Sequence, residues 1–171
     1  PWDKRRVQHL FRRTGFGADL PTIQAALSQS PGAVVDFIIN NALAQPLSPQ
    51  PFWAFWTLSN YQNQEQAIEQ IFNWRRVWVR DMLDTGFRGK LTLFWHNHFV
   101  TRLETYGCPS YFYQYHKVLQ ERALGDFREF VRAIGLNPAM LVFLNGVQNT
   151  RFQPNENYAR ELYELFNHGP D

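Results

Sequence analysis

The sequence predicts an all-α fold, an irregular multi-helix globular bundle with one long central helix and a proline-rich linker. Apolar residues recur at helical spacing along most of the chain, which is typical of helices with one buried face. No segment alternates apolar and polar residues as a half-buried strand would. Prolines and glycines interrupt the apolar pattern repeatedly, so the helices are expected to be mostly short.

The composition is that of a folded globular domain rich in aromatic side chains. The chain has 171 residues, of which 44% are hydrophobic, 16% aromatic and 19% charged. This length corresponds to about one domain, and we expect a single helical domain over residues 1–171. The chain starts without an initiator Met and stops just after a Gly-Pro pair, so we expect it to be the N-terminal fragment of a longer protein.

The N-terminal third predicts three short helices and then a linker. Residues 3–13 carry a short apolar stripe, and Asp19 followed by Pro21 is typical of a helix start. A third helix is expected from Pro31 onwards. Residues 45–51 contain three prolines and predict the linker. Two tryptophans that follow it could stack on a sugar ring or a pigment, but are better explained as a staple that holds the linker on the core: Trp53 and Trp56.

The rest of the chain predicts the longest helix and five further ones. Apolar residues at helical spacing run through residues 64–84, with Trp74 and Trp78 beside them, and Gly86 and Gly89 follow. Further helices are expected across residues 90–100, 111–123 and 126–135, and a short one from Pro138. The last helix is expected over residues 154–169.

Charge and composition argue against two classes of partner. The formal net charge of +2 is too small to indicate a nucleic acid, so none is expected. No apolar run approaches the roughly 18 residues that a membrane span needs. The aromatic excess instead suggests a partner surface formed by other protein subunits or by the missing C-terminal part of its own chain.

Two histidines close together make the first candidate site. His96 and His98 stand within an aromatic segment, and histidine is the commonest metal ligand in proteins. On a helix, however, residues two apart point about 200° away from each other, so the pair could share one ion only if the helix breaks. A pair of hydrogen-bonded histidines that fix contacts between helices is the simpler interpretation.

The last helix carries the second candidate. Asn157, Glu161, Glu164 and His168 repeat at helical spacing and could bind a divalent ion. The same side chains, together with Glu156, could equally form a solvated face with local ion pairs.

Four segments resemble the signatures of a known family. They are residues 12–17, which read RRTGFG, residues 91–101, which read LTLFWHNHFVT, residues 137–141, which read NPAML, and residues 154–166. In this order they resemble the bacterial family catalogued as domain of unknown function 1800 (DUF1800), in the N-terminal part of its members. The resemblance implies a helical fold without an established activity. It also gives a lean toward the cell envelope or periplasm, because members are often encoded beside an apparently exported family.

The match is uneven at the candidate residues. His96, His98, Glu156 and Glu161 match positions of the family motifs. Where the family tends to carry Leu-Asp-Asn, this chain reads Leu144-Asn145-Gly146, and where it continues Thr-Leu-Gly, this chain has Asn167-His168-Gly169. The resemblance therefore gives no support to a metal ligand at His168.

Two hypotheses of function follow from the sequence. In the first, the chain is a non-catalytic helical subunit or scaffold that packs against a larger assembly or the rest of its own chain. In the second, it is an enzyme or cofactor-binding domain that uses a divalent metal or haem. His96 or His98 would then act with Glu156, Glu161 or Glu164, because a carboxylate commonly orients a ligating histidine.

Overall fold

The computed structural model describes the backbone of residues 1–167 and the side chains of residues 1–164. Over this range the fold is all-α, as predicted, and contains no β-strand. The helices are α1 (Lys4–Thr14), α2 (Leu20–Leu27), α3 (Pro31–Ala44), α4 (Gln64–Asp84), α5 (Phe87–His98), α6 (Leu103–Tyr106), α7 (Pro109–Arg122), α8 (Phe127–Gly135), α9 (Pro138–Phe143) and α10 (Asn157–Glu161). None of them is long and apolar enough to cross a lipid bilayer.

Side-chain caps explain where several helices begin. The side chains of Asp3, Asp19, Ser30, Asn63 and Asp126 each accept a hydrogen bond from a backbone N–H of the first turn. Such a cap satisfies a donor that has no partner inside the helix. The predicted bounds of α4 are confirmed, since its helical period and the glycines that follow it were both visible in the sequence.

The prediction missed one helix and misplaced the ends of others. The single-turn helix α6 was not expected, since four residues are too few to show a period. α5 begins at Phe87 and α7 at Pro109, both earlier than predicted. The last segment is α-helical only over Asn157–Glu161 and continues as a π-helix over Leu162–Asn167. Its predicted end at Gly169 lies outside the described residues.

Within residues 1–164, two hydrophobic clusters form the interior. The smaller one is built from α1, α2 and α3, and consists of Val7, Ile23, Ala26, Val34 and Ile38. The larger one lies between α4, α7, α8 and α9 and is mostly aromatic, with Trp74, Trp78, Phe99, Tyr113, Tyr115, Phe130 and Met140 among its buried members. Phe87 packs against the smaller cluster from the start of α5, so α5 connects the two.

The proline-rich linker is held on the larger cluster by aromatic and polar contacts. Trp53 is buried, with its ring 5.9 Å from that of Trp74 in an edge-to-face arrangement, and Trp56 packs at the edge of the cluster. Gln120 donates to Ser48 at 2.8 Å and to Asp81 at 3.1 Å, while Ser48 donates to Asp81. The two tryptophans therefore form the predicted staple.

The long helix α4 buries one of its two apolar faces. Gln70, Trp74 and Trp78, four residues apart, are the buried residues of this helix. The other apolar residues at helical spacing lie on the opposite side and remain in water: Ile68, Phe72, Val79 and Leu83. We call these four side chains the α4 ridge.

Candidate functional site

The two candidate histidines lie on a helix that does not break. α5 is helical up to His98, so the imidazoles of His96 and His98 leave it in different directions, as helical geometry predicts. His98 stacks on Phe94, with the ring planes 8° apart and the centroids 6.2 Å apart, and also contacts Trp95. Phe94 is 54% exposed, so this stacked pair lies at the surface of α5 rather than in the core.

His96 is oriented by a tyrosine from α7. Its Nδ1 lies 3.1 Å from the hydroxyl oxygen of Tyr115, and that hydroxyl donates to the carbonyl of Phe99 at 2.8 Å. Because the hydroxyl hydrogen of Tyr115 is engaged with the carbonyl of Phe99, Nδ1 of His96 must carry the hydrogen that joins it to the Tyr115 oxygen. Burial lowers the pKa of His96, so the imidazole is neutral near pH 7 and its Nε2 holds a lone pair.

A third histidine, His116, lies near His96 and was not among the candidates identified from the sequence. His116 on α7 is fully buried and stacks on Trp78, with centroids 4.1 Å apart and ring planes 18° apart. The ring of Trp78 also contacts that of His96 edge to face, at 4.9 Å between centroids. Neither ring nitrogen of His116 finds a hydrogen-bond partner in the described part of the chain. Burial, together with the nearby His96, lowers the pKa of His116 to about 3.

The helical spacing of the residues on the buried face of α7 is the sequence signal that could have revealed His116. Phe112, His116, Leu119 and Gln120 recur at helical spacing and are all buried. The segment from Tyr111 to His116 is so rich in aromatics that this stripe is hard to separate from the rest of the sequence.

The glutamates of the last helix are on the surface. Glu156 precedes α10 and is exposed, Glu161 lies 3.8 Å from Arg160 as an ion pair, and Glu164 is exposed on the π-helix. No three His, Cys, Asp or Glu side chains within residues 1–164 lie close enough to hold a metal ion together. His168 lies outside the described residues. The metal or haem site stays a prediction for its five candidate residues, His96, His98, Glu156, Glu161 and Glu164.

The opposite side of that helix packs on the body of the domain. Tyr158 and Leu162 contact the larger hydrophobic cluster, and the hydroxyl of Tyr158 donates to the carbonyl of Val131 at 2.9 Å. These contacts hold the last helix on the domain, with its glutamates on the other side.

A pocket of about 450 Å³ lies beside His96. Its apolar walls come from α4, α5 and α7, and include Trp78, Met82, Leu93 and Phe112. Its polar residues are His96 and a group from α4 and from the segment around α6: Arg75, Thr101, Arg102, Glu104 and Tyr106. Burial raises the pKa of Tyr106 to about 12, so its phenol is protonated at neutral pH.

Comparisons with known proteins give one match. The family model described as "Protein of unknown function (DUF1800)" matches residues 9–171, essentially the whole chain. No curated protein and no solved structure matches significantly.

Proposed function

The chain belongs to the DUF1800 family. We propose that it is a non-catalytic helical subunit or scaffold. It packs through the α4 ridge against a larger assembly or against further protein of its own chain. The observation that carries this proposal is the second apolar face of α4, which the domain leaves in water.

The α4 ridge is a continuous stripe. Its members are spaced by four, seven and four residues, so they lie on one side of the helix. Ile68 is 43% exposed, Phe72 52%, Val79 53% and Leu83 69%. Single exposed apolar residues are common, but a contiguous stripe on a long helix is typical of a surface that packs against protein.

The charges beside the ridge indicate the chemistry of the partner. Arg75, Arg76 and Arg80 flank the ridge on the same helix, with Asp84 as the one acidic residue among them. Within residues 1–164, ion pairs join only Lys117 to Glu121 and Arg160 to Glu161, so none of these three arginines is paired. An amphipathic helix with an apolar stripe and carboxylates at its edges would complement both features.

The proposal is tested by the size of the assembly that the full-length protein forms in its own cells. We expect a Phe72→Gln/Leu83→Gln double variant to sediment as a smaller particle than the natural protein in a gentle extract. The matched control is Leu20→Gln/Leu136→Gln, because these two leucines are 55% and 69% exposed and belong to α2 and to the end of α8 rather than to α4. An unchanged particle with the ridge variant, or an equal loss with the control, would contradict the proposal.

A further inference from the structure

The pocket beside His96 has features of a small-molecule site that the scaffold function does not use. Its volume of about 450 Å³ lies in the range of pockets that enclose small organic ligands. Trp78, Leu93 and Phe112 supply apolar walls from three different helices. Such walls can surround the apolar body of a ligand and remove it from water.

The charged groups of the pocket favour an anion. Arg75 lines the pocket from α4, with its guanidinium also 5.7 Å from the centroid of the Phe72 ring, and Arg102 lines it from the segment before α6. Glu104 is the acidic residue of the lining. The rim therefore carries two positive charges and one negative charge, which suits a ligand with a single negative charge. An arginine guanidinium binds a carboxylate through two parallel N–H donors, so a carboxylate is the anion that this rim fits well.

His96 adds one oriented hydrogen-bond acceptor. Its Nδ1 is held by Tyr115, and its Nε2 makes no hydrogen bond to any residue that the structure describes, nor is that atom fully buried. The ring borders the pocket. Because Tyr115 is itself fixed by the carbonyl of Phe99, the imidazole is held in place before any ligand binds.

We propose that this pocket binds a small apolar monocarboxylic acid. The carboxylate lies at Arg75 and Arg102, and the apolar body packs on Trp78, Met82, Leu93 and Phe112, next to the imidazole of His96. This goes beyond the proposed scaffold function, since a ligand in the pocket needs no partner on the α4 ridge. The two surfaces adjoin at Arg75 and Val79, which border both.

Calorimetric titration of the purified full-length protein with decanoate tests the proposal. We expect one decanoate to bind per protein chain. Methyl decanoate and decylammonium keep the ten-carbon chain but lack the negative charge, so we expect each to bind at least about tenfold more weakly. Arg102→Gln and Arg75→Gln are each expected to weaken decanoate binding roughly tenfold through loss of a charge-assisted hydrogen bond. Both arginines are exposed, so these variants are expected to fold.

Arg80→Gln is the matched control, because this arginine lies on the same helix and does not border the pocket. It is expected to bind decanoate as the natural protein does. The ¹⁵N resonances of the His96 imidazole should shift on binding, which places the ligand. Equal binding of methyl decanoate, or unchanged binding by Arg102→Gln, would overturn the proposal. The proposal would also be overturned if neither decanoate nor 1-naphthaleneacetate, a more compact apolar carboxylate, bound to the protein.

Discussion

At the scale of single residues, the buried His116 makes the domain sensitive to acid. Its folded-state pKa of about 3 lies far below the value of 6.5 for an exposed histidine. Between these two values the unfolded chain binds a proton that the folded chain does not. The free energy of unfolding therefore falls as the pH drops below about 6.5, and His116 contributes up to about 1.4 kcal/mol per pH unit in that window. Above pH 6.5 this contribution is constant.

His116→Leu should remove most of this dependence. We expect the free energy of unfolding, measured with urea at pH 7.5 and at pH 5, to differ less between the two pH values in the variant than in the natural protein. His9→Gln is the control, because His9 is exposed on α1 and should leave the dependence unchanged. An equal dependence in the His116 variant would show that this histidine is not held neutral.

Gly89 marks a close approach between α4 and α5. A Cβ at this position would lie 2.8 Å from Cα of Met82 and 2.8 Å from Oγ1 of Thr85. Because the backbone of α4 cannot move aside cheaply, Gly89→Ala should lower the free energy of unfolding by about 1–3 kcal/mol. Gly32→Ala in α3 is the control, since no atom lies within 4 Å of its added Cβ. It should be neutral or stabilising by up to about 1 kcal/mol in the same urea titration.

The sequence predicted part of the histidine arrangement. The separation of His96 from His98 followed from the 3.6-residue helical turn alone. The roles of Tyr115 and His116 did not, because both depend on how α7 packs against α4 and α5. A contact between residues such as His96 and Tyr115 has no signature in a single sequence.

At the scale of elements, α4 shows what patterning predicts and what it leaves open. Its length and ends were predicted from its period and from the glycines that follow it. The pattern contains two apolar stripes, however, and only the partners in space decide which of them is buried. Trp74 faces the interior because Trp53 and Tyr113 contact its ring, at 5.9 and 4.9 Å between centroids.

The two faces of α4 should respond differently to truncation. Trp74→Ala removes a side chain that is 3% exposed and should cost about 3–5 kcal/mol of unfolding free energy. Phe72→Ala removes a half-exposed neighbour from the ridge and should cost about 1 kcal/mol or less. Thermal or urea unfolding of the purified protein checks this. Similar losses at both positions would mean that the ridge is part of the folding core.

At the scale of the whole molecule, the fold class was predictable and the tertiary arrangement was not. Helical periodicity and frequent Gly and Pro residues are local signals, and they were sufficient for an all-α fold. The division of the interior into two clusters depends on contacts between distant residues. Arg88 is one such contact, because its guanidinium at the start of α5 donates to the carbonyls of Leu43 and Gln45 at the end of α3.

Arg88→Met should loosen the smaller cluster selectively. The guanidinium of Arg88 is partly buried, which lowers its pKa. Its hydrogen bonds to the end of α3 join the two halves of the domain. We expect amide hydrogen exchange to accelerate in α1, α2 and α3, while α4 and α7 stay protected. Equal acceleration throughout the chain would show that the domain opens as one cooperative unit.

Site-specific photo-crosslinking is the direct test of whether protein covers the α4 ridge. A benzophenone amino acid placed at Phe72 or Leu83 of the full-length protein, in its own cells, should crosslink to one defined polypeptide segment. Mass spectrometry would identify that segment as part of the same chain or of another subunit. The same probe at Gln24, exposed on α2, should not give that product. No crosslinked polypeptide from either ridge position, or the same products as from Gln24, would show that protein does not cover the ridge.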